Sequence, residues 1–218
     1  MRAYSIFQSI DGEVNYYHQG RLTTFIRFSG CNLKCSYCDT KYALKEDCGK
    51  EMSVKDIFNE VEKIGCKNIT ITGGEPLLQQ EELWKLVVKL KESDNYKISI
   101  ETNGSIIPSM FIRPYVSFVM DYKLQSSGMI DKMDIKAFKQ LGSTDFVKFV
   151  IKDKNDFEQA IQVMKDIKRN VLDIPKFAFS SIHDVLDPRE LITWMMIDKI
   201  DGVLNLQLHK YLKLSEDK

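Results

Sequence analysis

The stretch LTTFIRFSGCNLKCSYCDT, residues 22–40, runs a β-strand directly into three cysteines. Its first seven residues are rich in β-branched and aromatic side chains, the composition of a strand. The loop behind them places Cys31, Cys35 and Cys38 in the spacing C-x3-C-x2-C. Three soft thiolates this close favour zinc, copper(I) or an iron–sulfur cluster. A structural zinc site is completed by four protein ligands, often as two separated pairs, and no second pair follows here. Cys48 lies in the charged loop EDCGK and Cys66 at the end of an expected helix, neither with ligand spacing. They are expected to be a loop thiol and a small core residue. Three ligands suffice where a metal centre keeps one position open.

Working outward, strands and helices alternate. Ser53, followed by Asp56, opens a helix with apolar positions at Val54, Ile57, Phe58, Val61 and Ile64, closed by Gly65. Strands are expected at residues 68–72, 97–101, 116–121, 146–151 and 176–180, with a last one at 203–208. Helices are expected over 81–92, 156–167 and from Pro188 to about residue 197. Such alternation predicts a parallel sheet with crossover helices. Six units are too few for a closed eight-stranded barrel, so the expected fold is α/β, a partial, open (β/α)6 barrel in a single domain spanning residues 1–218. Function in such folds collects at the carboxyl ends of the strands. CNLKCSYCDT, TGGEP (72–76), ETNG (101–104) and DYK (121–123) each follow an expected strand and so share one rim.

The bulk numbers narrow the class. Thirty-one Lys plus Arg balance 31 Asp plus Glu, which leaves no global basic field for nucleic acid. The first residues carry no long apolar run, and no stretch approaches the roughly 20 apolar residues needed to span a bilayer. The expectation is a soluble cytoplasmic protein with reduced thiols, no nucleic-acid partner and no membrane partner.

The C-x3-C-x2-C loop, with Tyr37 before its last cysteine, resembles the signature of the radical S-adenosylmethionine enzymes, and the fold expectation is of that type. The resemblance implies a [4Fe-4S] cluster on Cys31, Cys35 and Cys38, with the remaining iron binding S-adenosyl-L-methionine as cofactor. It implies further contacts to that cofactor from Tyr37, Cys38, Asp39, Gly74, Glu75, Glu101, Asp121, Tyr122, Lys123 and Ser180. For Gly74 the physical reading is that glycine lets the backbone approach a ligand closely.

FQSIDGE (7–13) and FIRFSG (25–30) upstream, and FSSIHDVLDPREL (179–191) and LQLHK (206–210) near the end, resemble one branch of that family. This branch contracts a pterin ring in queuosine and deazapurine biosynthesis. The implied reaction is a carbon–nitrogen lyase step on 6-carboxy-5,6,7,8-tetrahydropterin, giving 7-carboxy-7-deazaguanine with loss of ammonia. The implied substrate contacts are Ile10, Asp11, Gly12, Glu13, Arg27, Thr72 and His209, with Mg2+ on the Thr40 hydroxyl. A reductant such as flavodoxin or ferredoxin is implied, and a homodimer is expected. Asp11 stands where the branch more often has Gln, DYK replaces a common SPK, and eight residues follow Lys210. Two other readings share the cysteine loop: an activase that installs a glycyl radical on anaerobic ribonucleotide reductase, and a non-catalytic metal-binding module. The second needs a fourth protein ligand.

Overall fold

The computed structural model describes residues 1–214. One nine-stranded sheet organises the molecule, in the order β3-β1-β2-β4-β5-β6-β7-β8-β9. Seven strands run parallel: β2 (Leu22–Phe28), β4 (Asn68–Gly73), β5 (Lys97–Thr102), β6 (Ser117–Tyr122), β7 (Phe146–Ile151), β8 (Lys176–Ser181) and β9 (Val203–Asn205). β1 (Arg2–Ile10) lies antiparallel to β2, and the two-residue β3 (Lys50–Glu51) covers its far edge. The parallel strands and most of the helices follow the sequence pattern closely. β1 was not among the expected strands, and the last strand stops at Asn205 instead of Leu208.

The crossovers are uneven. α1 (Val54–Ile64), α2 (Gln80–Ser93), α4 (Lys154–Asn170) and α5 (Pro188–Ile197) span four of them. The β5–β6 connection has only a short 3-10 turn, and the β6–β7 connection two 3-10 turns and the one-turn α3 (Ile135–Phe138). α1 begins as its sequence dictates. The Ser53 hydroxyl accepts from the Asp56 N–H at 3.1 Å while the Asp56 carboxylate accepts from the Ser53 N–H, and Gly65 ends the helix in the left-handed conformation.

Strand alternation sorts the sheet into two faces. Ile26, Phe28, Ile69, Ile71, Ile98, Ile100, Phe118, Met120, Val147, Phe149, Phe177 and Phe179 are buried in the main core, with Ile57 and Val61 of α1 and Leu83, Leu86 and Leu90 of α2. The alternate residues fill the concave side. Its base is a small apolar plug of Val14, Val119, Phe146 and Ala178. Above the plug stand polar side chains. Register sets Arg27 beside Thr72 and Asp121 beside Lys148. The sheet stays open between β1 and β9. There the C-terminal segment crosses back: the Leu208 N–H donates to Gly12 O at 2.9 Å, and the Val14 N–H donates to Asn205 Oδ1 at 2.9 Å. One further turn, α6 (Leu208–Tyr211), closes this crossing. Among the described residues no helix is long and apolar enough to cross a membrane.

Candidate active site

A deep cavity opens on the concave side at the carboxyl ends of the parallel strands. It is lined by Cys31, Cys35, Cys38, Tyr37, Asp39 and Thr40 from the loop after β2, and by Gly74, Glu101, Asp121, Lys123 and Ser180 from the strand ends that follow. Ile10, Gly12, Glu13, Arg27, Thr72 and His209 line its other side. The loops after β2, β4, β5 and β6 meet because each follows a strand of the same parallel run, and residues 10–13 join them from the end of the antiparallel β1.

Three expected contacts lie elsewhere. Tyr122 falls on the outer face of β6, where its ring packs on Phe138 and Phe149 at 4.9 and 6.1 Å between centroids; alternation from Asp121 requires this. The Asp11 side chain turns away from the cavity and is buried, accepting from the Thr70 hydroxyl. Only its backbone shapes the loop, through Asp11 N–H to Arg21 O at 2.8 Å and Gly20 N–H to Asp11 O at 2.7 Å. Glu75 is fully buried behind the wall. It accepts from the Leu77 N–H at 2.9 Å, the Thr102 hydroxyl at 2.7 Å and the Asn103 N–H at 2.7 Å. It therefore ties the TGGEP turn to the ETNG turn.

The two glycines of TGGEP have a packing reason as well. A Cβ on Gly74 would lie 2.1 Å from Gly30 O, and one on Gly73 2.2 Å from Phe28 O. They allow the end of β4 to press against the start of the cysteine loop. The Gly74 N–H donates to Phe28 O at 3.0 Å and the Glu75 N–H to Gly30 O at 2.8 Å. Close approach is thus to the neighbouring backbone, a reason the motif alone does not reveal.

The donor set fits a cluster open at one iron. The Leu33 N–H and the Asn103 amide point at the Cys31 sulfur, at 3.5 and 3.7 Å. Burial pushes the Cys31 and Cys35 thiols up; the Leu33 N–H opposes this at Cys31 and the Lys123 ammonium at Cys35. The two remaining cysteines stay away. Cys48 donates to Lys45 O at 2.8 Å, and Cys66 is buried beside the Gln8 amide at 3.0 Å. Among the described residues no three His, Cys, Asp or Glu side chains converge on a single-ion site. Thiolates on one zinc all lie within about 2.3 Å of it, whereas ligands of separate irons stand further apart. The Thr40 hydroxyl donates to Asp39 Oδ1 at 3.0 Å, which leaves its lone pairs for a hard cation. Asp39 is held from the other side by Lys210 at 3.0 Å.

The floor carries charge of both signs. Glu13 pairs with Lys148, and also accepts from Gln207 at 2.8 Å. Asp121 pairs with Lys123 at 3.0 Å and Lys148 at 3.3 Å. Burial works against both ammonium groups, but the facing carboxylates outweigh it and hold their pKa values above the ordinary range. Glu101 accepts from the Thr72 hydroxyl at 2.8 Å; burial, then repulsion from Glu13, raises its pKa to about 7. Lys148, Asn103, Gln207 and Lys210 were not foreseen as site residues, and His183 is exposed at the rim. Alternation gave one usable signal, since Lys148 shares its strand face with Phe146 and Val150.

Comparison with known proteins agrees with this geometry. Residues 25–182 match the Radical SAM superfamily. A 7-carboxy-7-deazaguanine synthase of Clostridium acetobutylicum is 36% identical over 210 residues, covering 94% of this chain and 93% of the relative. One from Koribacter versatilis is 34% identical over 230 residues, covering 100% and 99%. The crystal structure of QueE from Escherichia coli shares the fold with a TM-score of 0.73 at 21% identity, covering 94% of this chain and 92% of that one. The chain belongs to the 7-carboxy-7-deazaguanine synthase family of the Radical SAM superfamily.

Proposed function

We propose that this protein converts 6-carboxy-5,6,7,8-tetrahydropterin to 7-carboxy-7-deazaguanine with loss of ammonia. The observation that carries this reading is Arg27. The residue is 8% exposed and lines the cavity, and its guanidinium lies over the rings of Phe7 and Tyr42, 5.9 and 5.7 Å from their centroids. It makes no hydrogen bond or ion pair with a described residue, and its Nε is buried without a partner. A buried cation left in this state calls for an anionic ligand, and the planar fork suits a carboxylate. Across the cavity Glu13 supplies an acceptor for an N–H edge. The flat Phe7 and Phe25 rings, stacked at 5.2 Å, line the space between. One end thus reads a carboxylate and the other a guanidine-like face, as a carboxypterin requires.

When bound, the cluster and S-adenosylmethionine would supply radical hydrogen-abstraction chemistry, and Mg2+ would supply a positive charge. Cys31, Cys35 and Cys38 would hold the cluster and Thr40 the cation. Glu101, Asp121 and Ser180 offer acceptors to the nucleoside, and Tyr37 an aromatic face. Gln207, His209 and Lys210 of the C-terminal crossing close the mouth and keep water out, which protects radical chemistry. A low-potential reductant such as flavodoxin or ferredoxin, a homodimer and a cytoplasmic setting complete the proposal. A glycyl-radical activase has no use for Arg27 and Glu13 in these positions.

The test is anaerobic turnover of the reconstituted protein with reductant, S-adenosylmethionine, Mg2+ and the carboxypterin. We expect 5′-deoxyadenosine and the deazaguanine together. Arg27→Met should weaken substrate binding by about 30-fold or more, the effect of removing one member of a buried charged contact. Formation of 5′-deoxyadenosine without the deazaguanine would reject the substrate assignment.

A further inference from the structure

Lys148 is the one buried ammonium on β7, between Phe146 and Val150 on the concave face. A lysine buried on such a strand is costly unless it is fully paired. It reaches two carboxylates from distant parts of the chain, and it takes one oxygen of each. It donates to Glu13 Oε2, and lies 3.3 Å from Asp121 Oδ2. Asn205 also approaches Glu13 Oε2, at 3.4 Å, and Lys123 approaches Asp121 Oδ2, at 3.0 Å.

The opposite oxygens are the informative ones. Asp121 Oδ1 is buried and has no hydrogen-bond partner among the described residues. Among the described residues Glu13 Oε1 accepts only from Gln207, at 2.8 Å. A carboxylate has roughly four lone-pair sites, so Glu13 retains an acceptor position on Oε1. Both residues line the cavity, Glu13 on the pterin side and Asp121 beside Lys123 and the cysteine loop. An unpartnered buried acceptor costs free energy unless a ligand completes it.

We propose that Lys148 is the positioning residue of the site, gripping one oxygen each of Glu13 and Asp121 so that the other oxygens stand as fixed acceptors for substrate and cofactor respectively. One ammonium thereby orients both halves of the cavity. The proposal rests on the substrate reading above, and its test separates the two.

Binding of the carboxypterin and of S-adenosylmethionine is measured separately by anaerobic calorimetry on the cluster-loaded protein without reductant. Lys148→Met should weaken both by about 30-fold or more, as for truncation of one partner of a buried charge pair. Glu13→Gln should weaken only the pterin and Asp121→Asn only S-adenosylmethionine. In the Glu13→Gln background, Lys148→Met should cost the pterin far less than it does alone, because the pair acts as a unit. Lys148→Arg keeps the charge and should recover part of both affinities; it decides the question if the methionine variant fails to fold. If the wild type binds no carboxypterin, the substrate reading falls and this proposal with it. If the wild type binds and Lys148→Met binds equally well, the substrate reading stands and the proposal is overturned. A folded Lys148→Arg protein that recovers neither affinity overturns it as well.

Discussion

Asp11 shows how a single residue can sit inside a recognised motif and do something else there. Its carboxylate is 4% exposed, and burial raises its pKa to about 6, against the hydrogen bonds from Thr70 and Asn15. The folded protein therefore holds a proton that the unfolded chain, near 3.8, releases. This group's contribution is most favourable below the unfolded value and is lost as pH rises through about 6. Asp11→Asn removes the titration but leaves an oxygen for the Thr70 hydroxyl. We expect the variant to gain roughly 2–3 kcal/mol relative to wild type between pH 4 and pH 7.5, from about 1.4 kcal/mol per pKa unit. Urea unfolding at the two pH values measures it; a difference that does not change with pH would refute the argument. The same residue bears on how legible the site was. Ile10, Gly12 and Glu13 of the IDGE motif line the cavity, but nothing local indicates that Asp11 turns away, because that depends on Thr70 two strands distant in the sheet order.

At the scale of elements, the C-terminal crossing stands out. β9 and α6 fill the gap that an open sheet leaves, and they bring Gln207, His209 and Lys210 over the mouth. Gln19 fastens the crossing by donating to Gly12 O at 2.8 Å and Leu206 O at 2.5 Å. Gly12 makes the contact possible: a Cβ there would lie 2.0 Å from His209 Nδ1. Gly12→Ala should therefore push the α6 turn off the loop. The expected result is a loss of stability of about 1–3 kcal/mol, as for overpacking elsewhere, with weaker pterin binding and an unchanged cluster spectrum. Absorption spectroscopy together with pterin titration checks this; undiminished pterin affinity would show that the crossing does not shape the site. Helix α1 makes the contrast. Its cap, apolar stripe and terminal glycine are all local, so the sequence predicts it almost to the residue.

The whole molecule is one continuous sheet from Arg2 to Asn205, with the main core on its convex side. Such an arrangement should unfold as a unit. Trp84 in α2 packs near Phe111 and Tyr115, and Trp194 in α5 packs near Phe157, so one indole reports on the β4–β5 crossover at the middle of the sheet and the other on the β8–β9 crossover at its edge. Single-tryptophan variants Trp84→Phe and Trp194→Phe should give the same denaturation midpoint by fluorescence, coincident with circular dichroism after allowance for each substitution. Separated midpoints would mean two folding units. The open barrel, the shared rim and the cysteine loop follow from features that repeat along the chain: period-two strands, capped helices and short spacing between ligands. These involve only near neighbours, and so the sequence by itself determined them. The pairing of Lys148 with both Glu13 and Asp121, the inward turn of Arg27, the outward turn of Tyr122 and the burial of Glu75 were decided only by the tertiary structure. Each depends on the relative register of strands remote in the chain, and on the face of the sheet to which alternation assigns a side chain once that register is set.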